Sequence, residues 1–145
     1  MIFYLTMLTA LFCALMAGIY FAFSVVVMPS LRRLGDEQGA RVMRQINRDI
    51  LQSSFMPLFW VSSLLCLVLL VSGQSELTMF AGAIYLTGML GVTALFNVPL
   101  NNRLEEARKN ETHQIWQHYL SRWQWFNHIR AISAALSASL FVAAA

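Results

Sequence analysis

The residues best suited to chemistry form a regularly spaced series in the last third of the chain. They are Trp116, Tyr119, Trp123, Asn127 and Arg130, with spacings of three, four, four and three residues. At about 100° per residue, a helix places all five within an arc of roughly 80°. The rings could stack on a planar aromatic compound, and the amide and guanidinium could donate hydrogen bonds to an oxyanion. The spacing therefore predicts one helical face able to bind and polarise an aromatic ligand.

Two structural explanations for this face stay open at this point. Tryptophan and tyrosine gather at membrane interfaces without any catalytic role, and Arg130 could extend to lipid headgroups. Residues of an interfacial belt scatter around a helix, however, whereas these residues align. Arginines inside a membrane usually face the bundle interior or a wet cavity. We therefore predict that Arg130 points inward and bonds the amides of Asn97, Asn101 and Asn127.

Three asparagines outside the series extend the polar set. Asn97 and Asn101 flank Pro99, which disrupts the preceding helical turn, and in a helix the two amides share a face. Asn47 interrupts the apolar face of an amphipathic segment, where a buried amide needs a hydrogen-bond partner. Structural hydrogen bonds explain each of them equally well. The alternative is a substrate-binding pocket, which would be formed by Asn47, Asn97, Asn101, Trp116, Tyr119 and Trp123.

Other catalytic or metal-binding arrangements are missing from the sequence. The chain has no CxxC pair, no glycine-rich phosphate loop, no nucleic-acid module and no acidic residue within its apolar runs. His113, His118 and His128 lack the paired spacing of a metal site. His128 could act as a general base near neutral pH, although it lies roughly 100° from the aromatic face. We expect no metal, no cofactor and no nucleic-acid partner, and any catalysis to depend on Asn127, Arg130 and His128.

The elements that position these residues follow from the composition. Apolar residues make up 58% of the 145-residue chain and charged residues 12%, compared with about 45–50% and about 25% in soluble domains. Four runs are apolar and long enough to cross a bilayer, which takes about 20 residues per helix. The predicted spans cover residues 2–28, 55–72, 77–98 and 128–144. The predicted fold is an all-α membrane protein, an up-down bundle of four transmembrane helices in a single domain.

The charge distribution predicts how the bundle is oriented. All ten lysine and arginine residues lie between spans one and two, between spans three and four, or at the edge of span four. By the positive-inside rule, both long loops are cytoplasmic and both termini face outward in the cell (inner) membrane. Residues 36–52 of the first loop place apolar side chains at helical spacing, with Arg41, Arg44 and Arg48 on another face. This pattern predicts an amphipathic cytoplasmic helix in contact with membrane lipids.

Several motifs along the chain carry a resemblance to a known family. They are Gly18-Ile19-Tyr20-Phe21-Ala22-Phe23 before Met28-Pro29-Ser30-Leu31, then Asn97-x-Pro99-x-Asn101, and finally Trp116-x2-Tyr119-x3-Trp123-x3-Asn127-x2-Arg130. Together they extend over nearly the whole chain and resemble the anthrone-oxygenase-like family of small membrane proteins. The resemblance implies a four-span bundle, and it implies as site residues Asn47, Asn97, Asn101, Trp123, Asn127 and Arg130. Some members of that family are associated with the oxidation of anthrones to anthraquinones by dioxygen, without metal or flavin.

The resulting hypothesis is a cofactor-independent oxygenase that acts on a lipophilic, anthrone-like aromatic. An anthrone that loses a ring proton forms a delocalised enolate, which can pass an electron to dioxygen unaided. The protein would then supply an apolar slot, donors for the oxyanion and a base. Two alternatives use the same residues. One is a non-catalytic membrane protein whose polar layer stabilises the bundle or docks a partner, and the other is a carrier or sensor of a small apolar compound.

Overall fold

The structure, a computed structural model, describes residues 1–145 and contains five helices. In chain order they are α1 (Ile2–Arg33), α2 (Asp36–Ile50), α3 (Phe55–Ser72), α4 (Glu76–Glu105) and α5 (Thr112–Ala144). All except α2 are long and apolar enough to cross a membrane, which confirms the predicted all-helical fold with four transmembrane helices. The series from Trp116 to Arg130 lies on one uninterrupted helix, as predicted.

The bundle is organised around α5, which packs along α1 and also contacts α4. Large buried side chains fill the centre, among them Met16, Tyr85, Met89 and Phe141. The helices α3 and α4 are joined by a tight turn in which Gly73 has a left-handed φ of 61°. From this turn, α3 contacts α4 mainly over Glu76–Tyr85. The two helices separate towards their other ends, and this separation leaves space inside the bundle.

Close helix contacts determine which glycines the bundle requires. A Cβ atom added to Gly88 on α4 would lie 2.5 Å from the Cβ atom of Ser133 on α5, closer than real carbon atoms approach. A Cβ atom added to Gly18 on α1 would have no neighbour within 4 Å. Gly88 therefore permits the close contact between α4 and α5, whereas Gly18 is not required by any helix contact.

Replacing Gly88 with alanine should destabilise the protein by about 1–3 kcal/mol, the usual effect of overpacking. The matched Gly18→Ala variant should be unchanged or slightly more stable, because alanine is the better helix former by about 1 kcal/mol. Thermal unfolding of both variants in the same detergent measures the difference. Equal unfolding temperatures for the two variants would contradict the close approach of α4 and α5.

Two long helices widen by a π-helical turn shortly before a proline. The turn Phe23–Val27 precedes Pro29 in α1, and the turn Thr93–Asn97 precedes Pro99 in α4. A proline has no N–H, and its ring crowds the carbonyl group four residues earlier. A wider turn relieves that crowding and lets the helix continue. The sequence predicts a disruption before Pro99, but not this form of it, and π-helical turns frequently occur at functional sites.

The helix α2 closes the loop end of the bundle, because its apolar face packs against α1, α4 and α5. Met43 on this face is fully buried. Gly39 lies so close to α5 that an added Cβ atom would be 2.8 Å from the Trp116 ring. On the exposed side, a salt bridge of 3.4 Å joins Arg48 to Glu105 of α4. The predicted amphipathic helix therefore forms one wall of the folded protein.

Candidate functional site

An apolar cavity of about 240 Å³ lies where α3 separates from α4. All five helices contribute to its wall, and fifteen of its nineteen lining residues are hydrophobic. The other four, called here the polar sector, are Asn47, Thr93, Asn101 and Arg130. The cavity thus combines an extensive apolar wall with a few polar groups, which is the usual composition of a small-molecule site.

The cavity opens on the side of the bundle. Leu51, Trp60 and Val98 line the cavity and are also exposed at the protein surface. Trp60 belongs to α3 and Val98 to α4, so the mouth lies between two transmembrane helices. A ligand can therefore reach the cavity between α3 and α4, through the apolar outer surface of the bundle.

Arg130 is the charged member of the polar sector and is only 5% exposed. Its Nη1 atom donates to Oγ1 of Thr93 at 3.3 Å, and its Nη2 atom donates to Oδ1 of Asn127 at 2.7 Å. The guanidinium carbon lies 4.3 Å from the ring centroid of Tyr20 and 5.1 Å from that of Trp123, within cation–π range. The Nε atom has no hydrogen-bond partner. The predicted inward orientation of Arg130 is thereby confirmed.

Asn127 holds Arg130 in place and does not itself line the cavity. Its side chain is fully buried. The Nδ2 atom donates to the carbonyl oxygen of Tyr20 at 2.7 Å and to Oγ of Ser24 at 2.8 Å. Because α1 engages the amide nitrogen, the amide oxygen is left to accept from the guanidinium. Asn127 is therefore placed to position Arg130, one helical turn away.

The other three asparagines occupy different environments. Asn47 and Asn101 line the cavity, and the Nδ2 atom of Asn47 is buried without a partner. Asn97 lies outside the lining and donates to the carbonyl oxygen of Trp123 at 3.3 Å. Neither Asn97 nor Asn101 bonds Arg130, contrary to the predicted amide layer. Of the three asparagines predicted to bind substrate, two reach the cavity.

Trp116, Tyr119 and Trp123 form a continuous stack along α5. Neighbouring ring centroids are 5.6 and 5.7 Å apart, with interplanar angles of 13° and 19°. Trp123 is the member that lines the cavity. Tyr119 donates its hydroxyl to Oδ1 of Asn101 at 2.8 Å, and Trp116 lies farther away against Gly39. The stack supports the cavity wall through Trp123, while its other two members do not face the cavity.

His128 does not line the cavity. It borders a separate surface cleft together with Arg32 and Gln124. Adjacent helical residues point about 100° apart, so the inward orientation of Asn127 turns His128 away from the bundle interior. A role for His128 as a base at the cavity is not supported by this position.

Two residues of the site, Tyr20 and Thr93, are not among those predicted. Tyr20 lies within a motif of the family resemblance, but an isolated tyrosine in an apolar helix does not reveal its contact with Arg130. Thr93 begins a π-helical turn. Because such a turn departs from the regular 3.6 residues per turn, helical periodicity does not predict which way a residue at this turn faces. The proline two residues beyond that turn is the signal that could have indicated it.

A family model described as anthrone oxygenase matches residues 43–140. The matched region contains every residue of the polar sector. No curated protein and no solved structure matches the chain. Because the family match covers more than half of the chain, the protein belongs to the anthrone oxygenase family.

Proposed function

We propose that the protein uses dioxygen to oxidise a lipophilic fused-ring aromatic of the anthrone class within the cavity, without a cofactor. In this reaction a ring methylene becomes a carbonyl group, and the carbon loses four electrons. One oxygen atom of dioxygen enters the product and the other leaves as water. Since the substrate enolate can pass an electron to dioxygen directly, the task of the protein is to bind that enolate and stabilise its charge.

The observation that carries this proposal is the position of Arg130 at the wall of an apolar cavity. Preorganised donors in a dry site stabilise developing charge far more than the same donors do in water. Thr93 and Asn127 fix the guanidinium, so that it need not reorganise during the reaction. Arg130 and Asn47 both line the cavity, and neither the Nε atom of Arg130 nor the Nδ2 atom of Asn47 has a protein partner that a substrate oxygen would have to displace.

The size and lining of the cavity suit a planar aromatic compound. An apolar cavity of about 150 Å³ holds benzene, so a cavity of about 240 Å³ with an open side has room for fused rings. Aromatic side chains are well represented in its wall, namely Tyr20, Phe23, Phe55, Phe59, Trp60 and Trp123. Such rings make stacked or edge-to-face contacts with another aromatic. Dioxygen, which is small and apolar, can enter through the same mouth.

We further propose that the end of the bundle closed by α2 faces the cytoplasm. The support is that nine of the ten lysine and arginine residues lie between predicted spans one and two or between predicted spans three and four, and that the tenth, Arg130, lies near the same end of span four. This is the distribution expected for cytoplasmic loops. Both termini would then face outward from the cell (inner) membrane. The cavity, which α2 helps to form, would lie at the level of the inner leaflet.

Reconstitution into lipid nanodiscs tests the proposed activity. With anthrone and oxygen-18-labelled dioxygen, we expect quinone to form faster than in protein-free nanodiscs, with a single labelled oxygen atom per product molecule. Binding of the aromatic without quinone formation above background would contradict the oxygenase proposal. That result would favour the second candidate function, a carrier or sensor of an aromatic compound, which the same cavity could serve.

Filling the cavity should block this activity. Ala94 lines the cavity on α4, and its replacement by tryptophan should lower kcat/KM by about tenfold to a hundredfold, because a displaced substrate reacts slowly. Leu95→Trp is the matched control, since Leu95 is 70% exposed and does not line the cavity. Quinone formation by both variants in nanodiscs gives the comparison. Full activity of Ala94→Trp would place the reaction outside this cavity.

A further inference from the structure

Arg130 is a buried cation without a counter-ion in the protein. The salt bridges of the structure, Arg48 with Glu105 and His113 with Asp36, both lie elsewhere, between exposed or partly exposed side chains. A guanidinium has five N–H donors, and the two hydrogen bonds of Arg130 leave three of them free, including the one on Nε. Cation–π contacts offset part of the cost of burying the charge. The remaining donors are those an anion would engage.

The cavity contains no group able to accept a proton at neutral pH. None of its nineteen lining residues is Asp, Glu, His or Lys. The nearby titratable groups are Tyr20 from α1, whose hydroxyl donates to the sulfur of Met89, and Tyr119 from α5, whose hydroxyl donates to Asn101. Phenols keep their proton at neutral pH. The faces of α2, α3 and α4 that line the cavity carry uncharged residues alone.

We infer that the cavity binds its aromatic ligand as a preformed oxyanion, with Arg130 as the counter-ion. The ligand, already in the membrane, loses its proton to water at the membrane surface before it enters. The electron pair stays on the ring system and its oxygen, and no oxidation or reduction accompanies this step. The ligand class is therefore a fused-ring phenol or enolisable ketone whose anion is delocalised. The anion site stands on the geometry of Arg130 alone, whereas its use in an oxidation depends on the proposed function.

A pair of redox-inert probes tests the anion site without turnover. Anthracene-9-carboxylate and the neutral anthracene-9-carboxamide have the same ring system, and their fluorescence reports binding to the protein in phosphatidylcholine nanodiscs. We expect wild-type protein to bind the carboxylate about tenfold or more tightly than the amide, as expected of a charged hydrogen-bonded pair. Equal affinity of wild-type protein for the two probes would overturn the inference, and this comparison needs no variant.

The Arg130→Gln variant should lose the preference for the anion while it retains its affinity for the amide within about threefold. The matched control is Arg122→Gln on the same helix, because Arg122 is exposed and does not line the cavity. This control should bind both probes as wild-type protein does. A preference for the anion that persists in Arg130→Gln would also overturn the inference.

The pH dependence of turnover separates a preformed anion from a base in the protein. For two anthrones of different acidity, kcat/KM should rise with pH through the pKa of each substrate, so the two midpoints should differ by the difference between those pKa values. A common midpoint would indicate a protein base and contradict the inference. Selective binding of the anion without any turnover would overturn the proposed oxygenase and support the anion site. Turnover without selective binding of the anion would overturn the anion site and support the proposed oxygenase.

Discussion

Replacing Arg130 with lysine should lower kcat/KM for quinone formation by about a hundredfold or more, although the positive charge is retained. Removal of one preorganised oxyanion donor typically reduces turnover by about 10²–10³. The planar guanidinium reaches Thr93 and Asn127 simultaneously and still has donors for a ligand. A lysine ammonium is a compact, strongly hydrated charge that cannot reproduce this geometry.

The control for this prediction is Arg122→Lys, a conservative change at an exposed position of the same helix. Both variants are compared with wild-type protein by the rate of quinone formation and by thermal unfolding in detergent. Loss of turnover at unchanged stability would support a donor to the substrate, whereas parallel loss of both would indicate a structural role. Wild-type behaviour of Arg130→Lys in both assays would contradict the role assigned to the buried guanidinium.

Replacing Asn127 with leucine should destabilise the protein by about 3–5 kcal/mol. The variant loses the two hydrogen bonds from Nδ2 to α1 and the one that Oδ1 accepts from Arg130. Each buried group left without a partner costs on the order of 1–3 kcal/mol, and more if it is charged. Because the side chains are similar in volume, the loss would come from polarity and not from a cavity.

Thermal unfolding measures this effect, with Asn102→Leu as the matched control. Asn102 is an exposed asparagine, and surface substitutions usually change stability by less than about 0.5 kcal/mol. An Asn127→Leu variant as stable as the control would show that the amide does not join α1 to α5. The variant should also reduce quinone formation, because the guanidinium of Arg130 loses its shortest hydrogen bond.

The fold could be predicted from sequence because each of its determinants is local. Charge-free runs of sufficient length define the four transmembrane helices, and the spacing from Trp116 to Arg130 defines a single face of α5. The inward orientation of Arg130 also follows from local information, since a charge at that depth requires partners. These features depend on the period of the helix and on the cost of placing a charged or polar side chain in lipid. Both can be read from the order of residue types along the chain.

The details of the site could not be predicted because they depend on contacts between helices. The sequence predicts the correct helix faces for Asn97 and Asn127 but not their hydrogen-bond partners. The amide of Asn97 donates to a backbone carbonyl oxygen of α5, and the amide of Asn127 donates to a backbone carbonyl oxygen of α1. Thr93 reaches Arg130 from a π-helical turn, which shifts every later residue of α4 relative to a regular period. An asparagine signals a need for hydrogen bonds, and the tertiary packing determines whether a ligand or the protein meets it.

Because the mouth of the cavity lies on the side of the bundle, between Trp60 and Val98, occupancy of the cavity depends on the concentration of substrate in the lipid and not on its concentration in water. A compound that arrives from the side first partitions into the lipid, so its mole fraction in the bilayer governs occupancy. A sparingly water-soluble aromatic can thus fill the cavity while almost none of it is free in water. Adding empty vesicles at a fixed total amount of substrate lowers the mole fraction of substrate in the bilayer. Occupancy of the cavity therefore falls, even though the aqueous volume stays the same.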